Sequence, residues 1–203
     1  MNVESTTMDE RRASRRMTDL PMQGLLNRLK TDEALMLAYG RGDCDAFERL
    51  YLRHKDSLFA YLYRSCPRSA VVEELAQDTW MAVINAAPGY EPRAKFRTWL
   101  YQIAHHRLVD FWRRKDNRHE PLDDVTQDRL QDNKATIDRE ALSGQLMQAI
   151  AKLPEDQREA LLLQEQGFSI HDIGAITDTG VETIKSRLRY ARIRLRQLMG
   201  EQA

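Results

Sequence analysis

Apolar residues in this chain return every three to four positions rather than every two, which predicts helices throughout and no sheet. From Asp45 the stripe Phe47, Leu50, Tyr51, His54, Leu58 and Leu62 predicts one long amphipathic helix. A second is predicted from about Ala70 to Ala87, with Val72, Leu75, Ala76, Thr79, Val83 and Ile84 inward. The stretch "APGYEPRAK", carrying Pro88, Gly89 and Pro92, then breaks the pattern into a loop. A third long helix is predicted from about Phe96 to Arg114. Residues 116–136 are acidic and poor in large apolar groups, and read as a linker. The helical pattern resumes near Ile137, and Pro154 followed by Glu155 and Asp156 predicts a helix start, because proline and acids suit the first turn. Gly167 predicts its end. Residues 1–30 are polar, Arg-rich and weakly periodic. The expectation is therefore an all-α protein. A flexible extension (1–30) precedes two small helical domains, 31–115 and 137–203, joined by a flexible acidic linker (116–136).

Beyond Gly167, two helix starts fall close together. Ser169 with Asp172 and Thr179 with Glu182 each have capping-box spacing. The short helix between them would turn Ile170, Ile173 and Ile176 inward. Gly174 would permit close approach of a neighbour, and Asp178 and Gly180 suit a tight turn. A short helix, a turn and a longer helix make a helix-turn-helix. On the longer helix Val181, Ile184, Leu188, Ala191, Leu195 and Leu198 form the apolar stripe. Glu182, Ser186, Arg189 and Tyr190, flanked by Thr183 and Lys185, then point away from it at the turns where such a helix meets base edges. Arg187, Arg192, Arg194 and Arg196 are placed to lie along phosphates.

Charge sharpens this picture through its distribution. The 203 residues hold 31 Lys plus Arg and 31 Asp plus Glu, a formal balance of zero. Yet residues 93–118 form a basic block, residues 119–140 an acidic one, and the last segment is basic again. Local blocks, not the sum, set what a surface attracts. Cys44 and Cys66 have neither metal-ligand spacing nor a disulfide framework. No apolar run approaches the ~20 residues that span a bilayer, and no signal-like stretch follows Arg16. The expectation is a soluble, cytoplasmic chain without membrane insertion, metal or cofactor. His105 and His106 diverge on a helix and cannot share a metal, so no catalytic site is expected either.

The third helix is apolar over an unusual arc. Phe96, Trp99, Leu100 and Ile103 form one face, and Tyr101, His105, Leu108 and Trp112 carry that character further round. The polar band left over holds Lys95, Gln102, His106 and Arg113, extended by Arg93 and Arg114. Aromatics among bases suit a single nucleic-acid strand, whose unstacked bases need ring faces and whose backbone needs positive charge. The same aromatics also serve as core filler, and Tyr101, His105 and Trp112 could do either. On the second helix, Glu74, Gln77, Asp78 and Met81 share an outward face that reads as a protein-docking surface or as ordinary solvated helix.

The stretches "GDCDAFERLYLRH", "VEELAQDTW", "FRTWLYQIAHHRLVDFWRR", "LPEDQREALLLQEQGFSIHDIGAI" and "ETIKSRLRYAR" together, in this order, resemble the bacterial extracytoplasmic-function (ECF) sigma factors. The resemblance runs from about Asp32 to Met199. It implies a promoter-specificity subunit of RNA polymerase. The segment with Glu74, Gln77, Asp78 and Met81 would dock on the clamp coiled coil of the polymerase's largest subunit. Arg93, Lys95, Gln102, His106, Arg113 and Arg114 would face the minus-ten element and help melt it. Glu182, Thr183, Lys185, Ser186, Arg189, Tyr190 and Arg192 would face the minus-thirty-five element. An anti-sigma partner is implied as well.

The chain departs from the family pattern at three of these places. It reads "IAHH" where "IARN" is common, has Glu182 where a glycine is frequent, and has Tyr190 where an Arg or similar polar residue is frequent. The extension before Asp32 is longer than the pattern, which makes Met17 or Met22 a candidate start. The alternative reading is a free-standing helix-turn-helix regulator binding operator DNA as a dimer, which leaves the Trp-rich N-terminal part without a task.

Overall fold

The computed structural model describes residues 30–66, 69–116 and 137–200. The extension and the linker expected from the sequence lie almost wholly outside these residues. Among them are α-helices and one short 3-10 turn, with no strand. In chain order they are α1 (Asp32–Gly40), α2 (Cys44–Ser65), α3 (Ser69–Ala86), the 3-10 turn Ala87–Gly89 and α4 (Phe96–Asp116). Then follow α5 (Ile137–Ala151), α6 (Glu155–Glu165), α7 (Ile170–Ile176) and α8 (Val181–Gly200).

Local chemistry accounts for the starts and stops. The Thr31 side chain accepts from the Ala34 N–H to open α1, and Asp43 accepts from the Ala46 N–H to open α2. The N-terminus of α4 is satisfied from across the fold, where Glu33 Oε1 accepts from the Phe96 N–H at 2.7 Å. Asp32 receives Arg53 Nη1 and His54 Nε2, each at 2.8 Å, and so ties α1 to α2. The hydrogen bond from His54 is the chief reason the Asp32 carboxyl lies below its ordinary pKa. Gly40 is required by packing: a Cβ there would stand 2.5 Å from the Ala87 carbonyl oxygen.

The first four helices bury Leu35, Met36, Leu50, Leu58, Leu62, Val72, Val83, Phe96 and Leu100. Two positions differ from the sequence reading. Tyr51, assigned to the inner stripe of α2, is 40% exposed, whereas Tyr61, outside that stripe, is fully buried. The true inner face of α2 runs Ala46, Leu50, His54, Leu58, Tyr61, Leu62 and Ser65. Positions 46, 50, 54, 58 and 62 keep a four-residue step, and Tyr51, one residue past Leu50, is turned about 100° from that line, against Trp80 of α3. Trp80 likewise turns inward on α3, where it meets Phe47 and Tyr51 edge-on.

The last four helices bury Ile150, Leu162, Leu163, Ile173, Ile176, Ile184 and Leu188. The two sets pack against each other through α2 and α4 on one side and α6 and α7 on the other. Their apolar interiors join into one continuous core, with Tyr61, Tyr101 and Phe168 at the junction. Tyr101 lies 5.1 Å from Tyr61 and 4.7 Å from Phe168, ring centre to ring centre.

Candidate nucleic-acid interface

The helix-turn-helix forms as its residues dictate. The Ser169 side chain accepts from the Asp172 N–H at 3.1 Å, and Asp172 Oδ2 accepts from the Ser169 N–H at 3.1 Å, a complete capping box at the start of α7. Hydrogen bonding from Ser169 holds the Asp172 carboxyl below its ordinary pKa. The turn brings the Thr179 N–H to the Gly174 carbonyl at 2.9 Å. A Cβ on Gly174 would approach the Thr179 carbonyl oxygen to 2.8 Å, so the turn needs this glycine. Asp178 takes a left-handed φ of 49°, which its short polar side chain tolerates.

The second capping box does not form. Helix α8 begins at Val181, one residue later than a Thr179 cap requires. The Thr179 hydroxyl instead donates to the Thr177 carbonyl at 2.9 Å, and Glu182 Oε1 holds Lys185 Nζ at 2.6 Å. Both partners were taken by closer alternatives.

On α8 the apolar stripe is as read: Ile184, Leu188 and Ala191 are buried, with Leu195 and Leu198 partly so. Glu182, Thr183, Lys185, Ser186, Arg189, Tyr190 and Arg192 are all exposed. Arg189 lies over the Tyr190 ring at 4.9 Å and donates to its hydroxyl at 3.1 Å, which stiffens that pair. The arginines expected to lie along phosphates divide. Arg187 turns inward to Asp156 at 3.0 Å and to Thr179, so it braces the fold instead of lying outward. Arg192 reaches Gln164 at 2.7 Å from an exposed position, and Arg194 and Arg196 stay exposed.

The basic band of α4 is also largely outward. Lys95, His106, Arg113 and Arg114 are exposed and Gln102 is half-buried. Arg93 is exposed but holds Glu91 through Nε and Nη2, at 3.0 and 2.7 Å. The loop beneath is fixed by aromatic contacts, with Tyr90 5.0 Å from Trp99 and 6.4 Å from Phe96. The Tyr90 hydroxyl is buried without a hydrogen-bond partner, and burial with Glu33 and Asp32 nearby pushes its pKa up to about 12. For Tyr101 and His105 the structure favours packing. Tyr101 is fully buried, and His105 Nδ1 lies 2.7 Å from Glu159 of α6.

The acidic face of α3 is exposed at Glu74, Gln77, Asp78 and Met81. Gln77 and Met81 edge a groove of about 410 Å³ between α2 and α3, walled by Tyr51, Phe59, Trp80 and Ala76, with Lys55, Asp56 and Glu73 at its rim. Glu74 and Asp78 stand outside that lining. Sequence reasoning missed the α2 wall, although Tyr51, Lys55 and Phe59 follow the four-residue helical step and signal a shared face. It also missed the contacts between the two sets, which have no local signature. Tyr61 donates to Glu159 at 2.6 Å, Arg64 donates to Glu165 at 2.5 Å, and Arg97 donates to the Gln166 carbonyl. Among the described residues no cluster of His, Cys, Asp and Glu could hold a metal, and no helix is long and apolar enough to cross a membrane.

Two family models match the chain: Sigma-70 region 2 over residues 50–118 and Sigma-70, region 4 over residues 143–195. The chain is 32% identical to the RNA polymerase sigma factor CarQ of Myxococcus xanthus, over 79% of this chain and 92% of that protein. It is 34% identical to the ECF RNA polymerase sigma factor RpoE of Cereibacter sphaeroides, over 76% and 86%. Among solved structures, the sigma factor RpoE of Bartonella quintana, in complex with the anti-sigma factor NepR, superposes with a TM-score of 0.64 at 26% identity, covering 76% of this chain and 96% of that one. CnrH, in complex with the cytosolic domain of CnrY, shares the fold at TM-score 0.65 and 22% identity, covering 86% and all of the two chains.

Proposed function

Since the chain belongs to the ECF family of RNA polymerase sigma factors, we propose that its three exposed faces divide the labour of promoter-specific initiation. The groove edge and acidic face of α3, with Glu74, Gln77, Asp78 and Met81, dock on the clamp coiled coil of core polymerase. The band of Arg93, Lys95, Gln102, His106, Arg113 and Arg114 engages the minus-ten element as it melts. Glu182, Thr183, Lys185, Ser186, Arg189, Tyr190 and Arg192 on α8 read the minus-thirty-five element. We take residues 31–115 and 137–203 as the two domains that polymerase spreads along the promoter, with residues 116–136 as the tether.

The observation that carries this reading is the coexistence, on one chain, of a nucleic-acid-ready α8 and an exposed acid-edged apolar groove on α3. A free-standing regulator needs only the first. A groove with Met81 and Tyr51 at 47% and 40% exposure is poised for a protein partner. The reading assigns no catalytic step and no cofactor to the chain, and places it in the cytoplasm with polymerase. By analogy with the sigma factor RpoE solved with the anti-sigma factor NepR, an anti-sigma protein is a third binding partner.

The test is run-off transcription from a genomic library with purified core polymerase. Promoter-selective transcripts are expected only when the chain is present. The double variant Glu74→Arg/Asp78→Arg should lose co-purification with core polymerase while keeping its helical content, because both side chains face solvent and reversal places like charges against the partner. Unchanged co-purification would remove the docking assignment.

A further inference from the structure

Among the described residues, one side of α2 is apolar and uncovered. At about 100° per residue, Leu52, Phe59 and Tyr63 fall close to one line of the helix, and they are 55%, 41% and 37% exposed. Tyr61 and Arg64, which meet Glu159 and Glu165, stand on another side, so the contact between the two helical sets does not reach this line. The line continues into the groove walled by Tyr51, Phe59 and Trp80 and edged by Met81. Large apolar side chains exposed side by side mark a surface that something covers. The surroundings are mostly acidic. Asp45 and Glu48 on α2 and Glu73, Glu74 and Asp78 on α3 are exposed, while Lys55, the base at the rim, is held by Asp56 at 3.3 Å.

The chain itself supplies a segment of matching chemistry. Arg53 Nη1 donates to the Lys30 carbonyl at 3.0 Å, so the chain running back from Lys30 leaves the fold at α2, beside Leu52. Just before it, Met22, Leu25, Leu26 and Leu29 follow the i, i+3, i+4, i+7 spacing of a single apolar face. Further back lie Arg11, Arg12, Arg15 and Arg16, and Asp19 is the only acid between residues 11 and 30. The lengths also match. Met22 to Leu29 and Leu52 to Phe59 are equal intervals in the sequence, about 10 Å each at a helical rise.

Resting on the sigma-factor reading, we propose that the N-terminal segment is a tethered cover for the polymerase-docking side of the molecule. Met22, Leu25, Leu26 and Leu29 pack on Leu52, Phe59 and Tyr63, and the arginines before them cross the groove toward Glu73, Glu74 and Asp78. The cover and the clamp coiled coil then compete for Glu74, Asp78 and Met81. A covalent tether gives the segment an effective concentration on the order of millimolar, so contacts too weak to hold two separate molecules together keep it seated. The same weakness lets a large polymerase surface displace it. The arginine contacts are screened by salt, and the apolar ones are not.

The experiment compares the full chain with its Leu25→Asp/Leu26→Asp variant by hydroxyl-radical footprinting, in which mass spectrometry reads the exposure of each side chain. Leu52, Phe59, Tyr63 and Met81 are expected to oxidise several times faster in the variant, with Tyr190 on α8 unchanged as the internal standard. Both substitutions precede α1, so the helical signal should match that of the parent. Equal oxidation in parent and variant would overturn the proposal. So would shielding in the parent that disappears on dilution, because the cover would then be a second copy of the chain. Arg15→Glu/Arg16→Glu should free Met81 and leave Leu52 shielded, and any other pattern would overturn the placement. Affinity for purified core polymerase is measured in parallel. A chain covered most of the time binds with its affinity reduced to the open fraction, so the Leu25→Asp/Leu26→Asp variant should bind roughly fivefold more tightly. An opened footprint with unchanged affinity would overturn the competition. Binding by neither chain would remove the sigma-factor reading, and the footprint would still decide whether the segment covers α2.

Discussion

Helices α4 and α8 are both directed at nucleic acid in this reading, yet they are built on opposite plans. Helix α8 has one buried stripe, Ile184, Leu188 and Ala191, and its opposite face is open from Glu182 to Tyr190. Helix α4 buries Phe96, Leu100 and Ala104 toward its own set and Thr98 and Tyr101 toward the other, with Leu108 lining the cavity between the sets beside Arg158 and Glu159, leaving only a band around His106 and Arg113 exposed. A helix with one apolar stripe can present a rigid polar face at any time. A helix apolar nearly all round has to be covered, and whatever covers it controls access. In this chain part of the cover is the C-terminal set, where Phe168 packs on Tyr101, so α4 is held by a distant neighbour and the outward face of α8 is not.

The largest effect that would break this contrast is on stability. Tyr101→Ala empties a fully buried site between Tyr61 and Phe168 and should cost about 3 to 5 kcal/mol in denaturant unfolding. Tyr190→Ala removes a ring of similar size that is 50% exposed on α8, and should change stability by no more than about 0.5 kcal/mol. Equal costs would mean that α4 is not covered as described.

The same contrast explains what was legible in the sequence. The stripe and outward face of α8 were readable because one face packs within its own neighbourhood, and period alone then fixes the phase. The capping box at Ser169 was readable for the same local reason. The one at Thr179 misled, because Thr177 and Lys185 compete for its two side chains and spacing does not reveal competitors. On α4 the excess of aromatic residues was visible, but its meaning was not. Tyr101 and His105 are equally suited to bases and to Phe168 and Glu159, and the choice depends on residues about 54 to 67 positions away. Tyr51 was misplaced because it stands about 100° round the helix from the line Ala46, Leu50, His54, Leu58 and Leu62 and packs on Trp80 of α3, a partner that the period of α2 alone does not show.

Specificity offers a smaller and sharper comparison. Glu182→Ala on α8 should relax preference at one promoter position, since a good base contact is worth roughly 1–3 kcal/mol of discrimination. It also frees Lys185 from its 2.6 Å ion pair, so overall affinity for non-cognate DNA should rise. Arg192→Ala should lower output on all promoters alike, because phosphate contacts position without specifying. On α4, His106→Ala should alter minus-ten preference, while Lys95→Ala/Arg113→Ala should weaken strand binding and flatten its salt dependence. A promoter-library selection with each holoenzyme variant distinguishes these outcomes. A uniform loss from Glu182→Ala with an unchanged motif would mean that the outward face of α8 does not read bases.

The smallest expected effect is acid sensitivity, and it separates the two sets by their carboxylates. Asp32 ties α1 to α2 through His54 and Arg53, and Asp172 caps α7 through Ser169. Each folded pKa is lowered, by hydrogen bonding to His54 in the first case and to Ser169 in the second. A lowered carboxyl stabilises the fold fully above its unfolded pKa, and that contribution disappears as pH falls through the folded value. Both contributions are therefore intact at neutral pH and fade as pH falls through the usual carboxylate range and below it. Asp172 is largely solvent-screened, so its share is the lesser one. Asp32→Asn should flatten the acid limb of the unfolding free energy more than Asp172→Asn does. At neutral pH Ser169→Ala should cost about 1 kcal/mol through the lost cap. Unfolding curves at neutral pH and at pH about 3 measure all three. If Asp172→Asn flattened the acid limb more than Asp32→Asn, the carboxylate sensing acid would be on the α7 side of the junction, and the cap of α7 would loosen before the tie between α1 and α2 did.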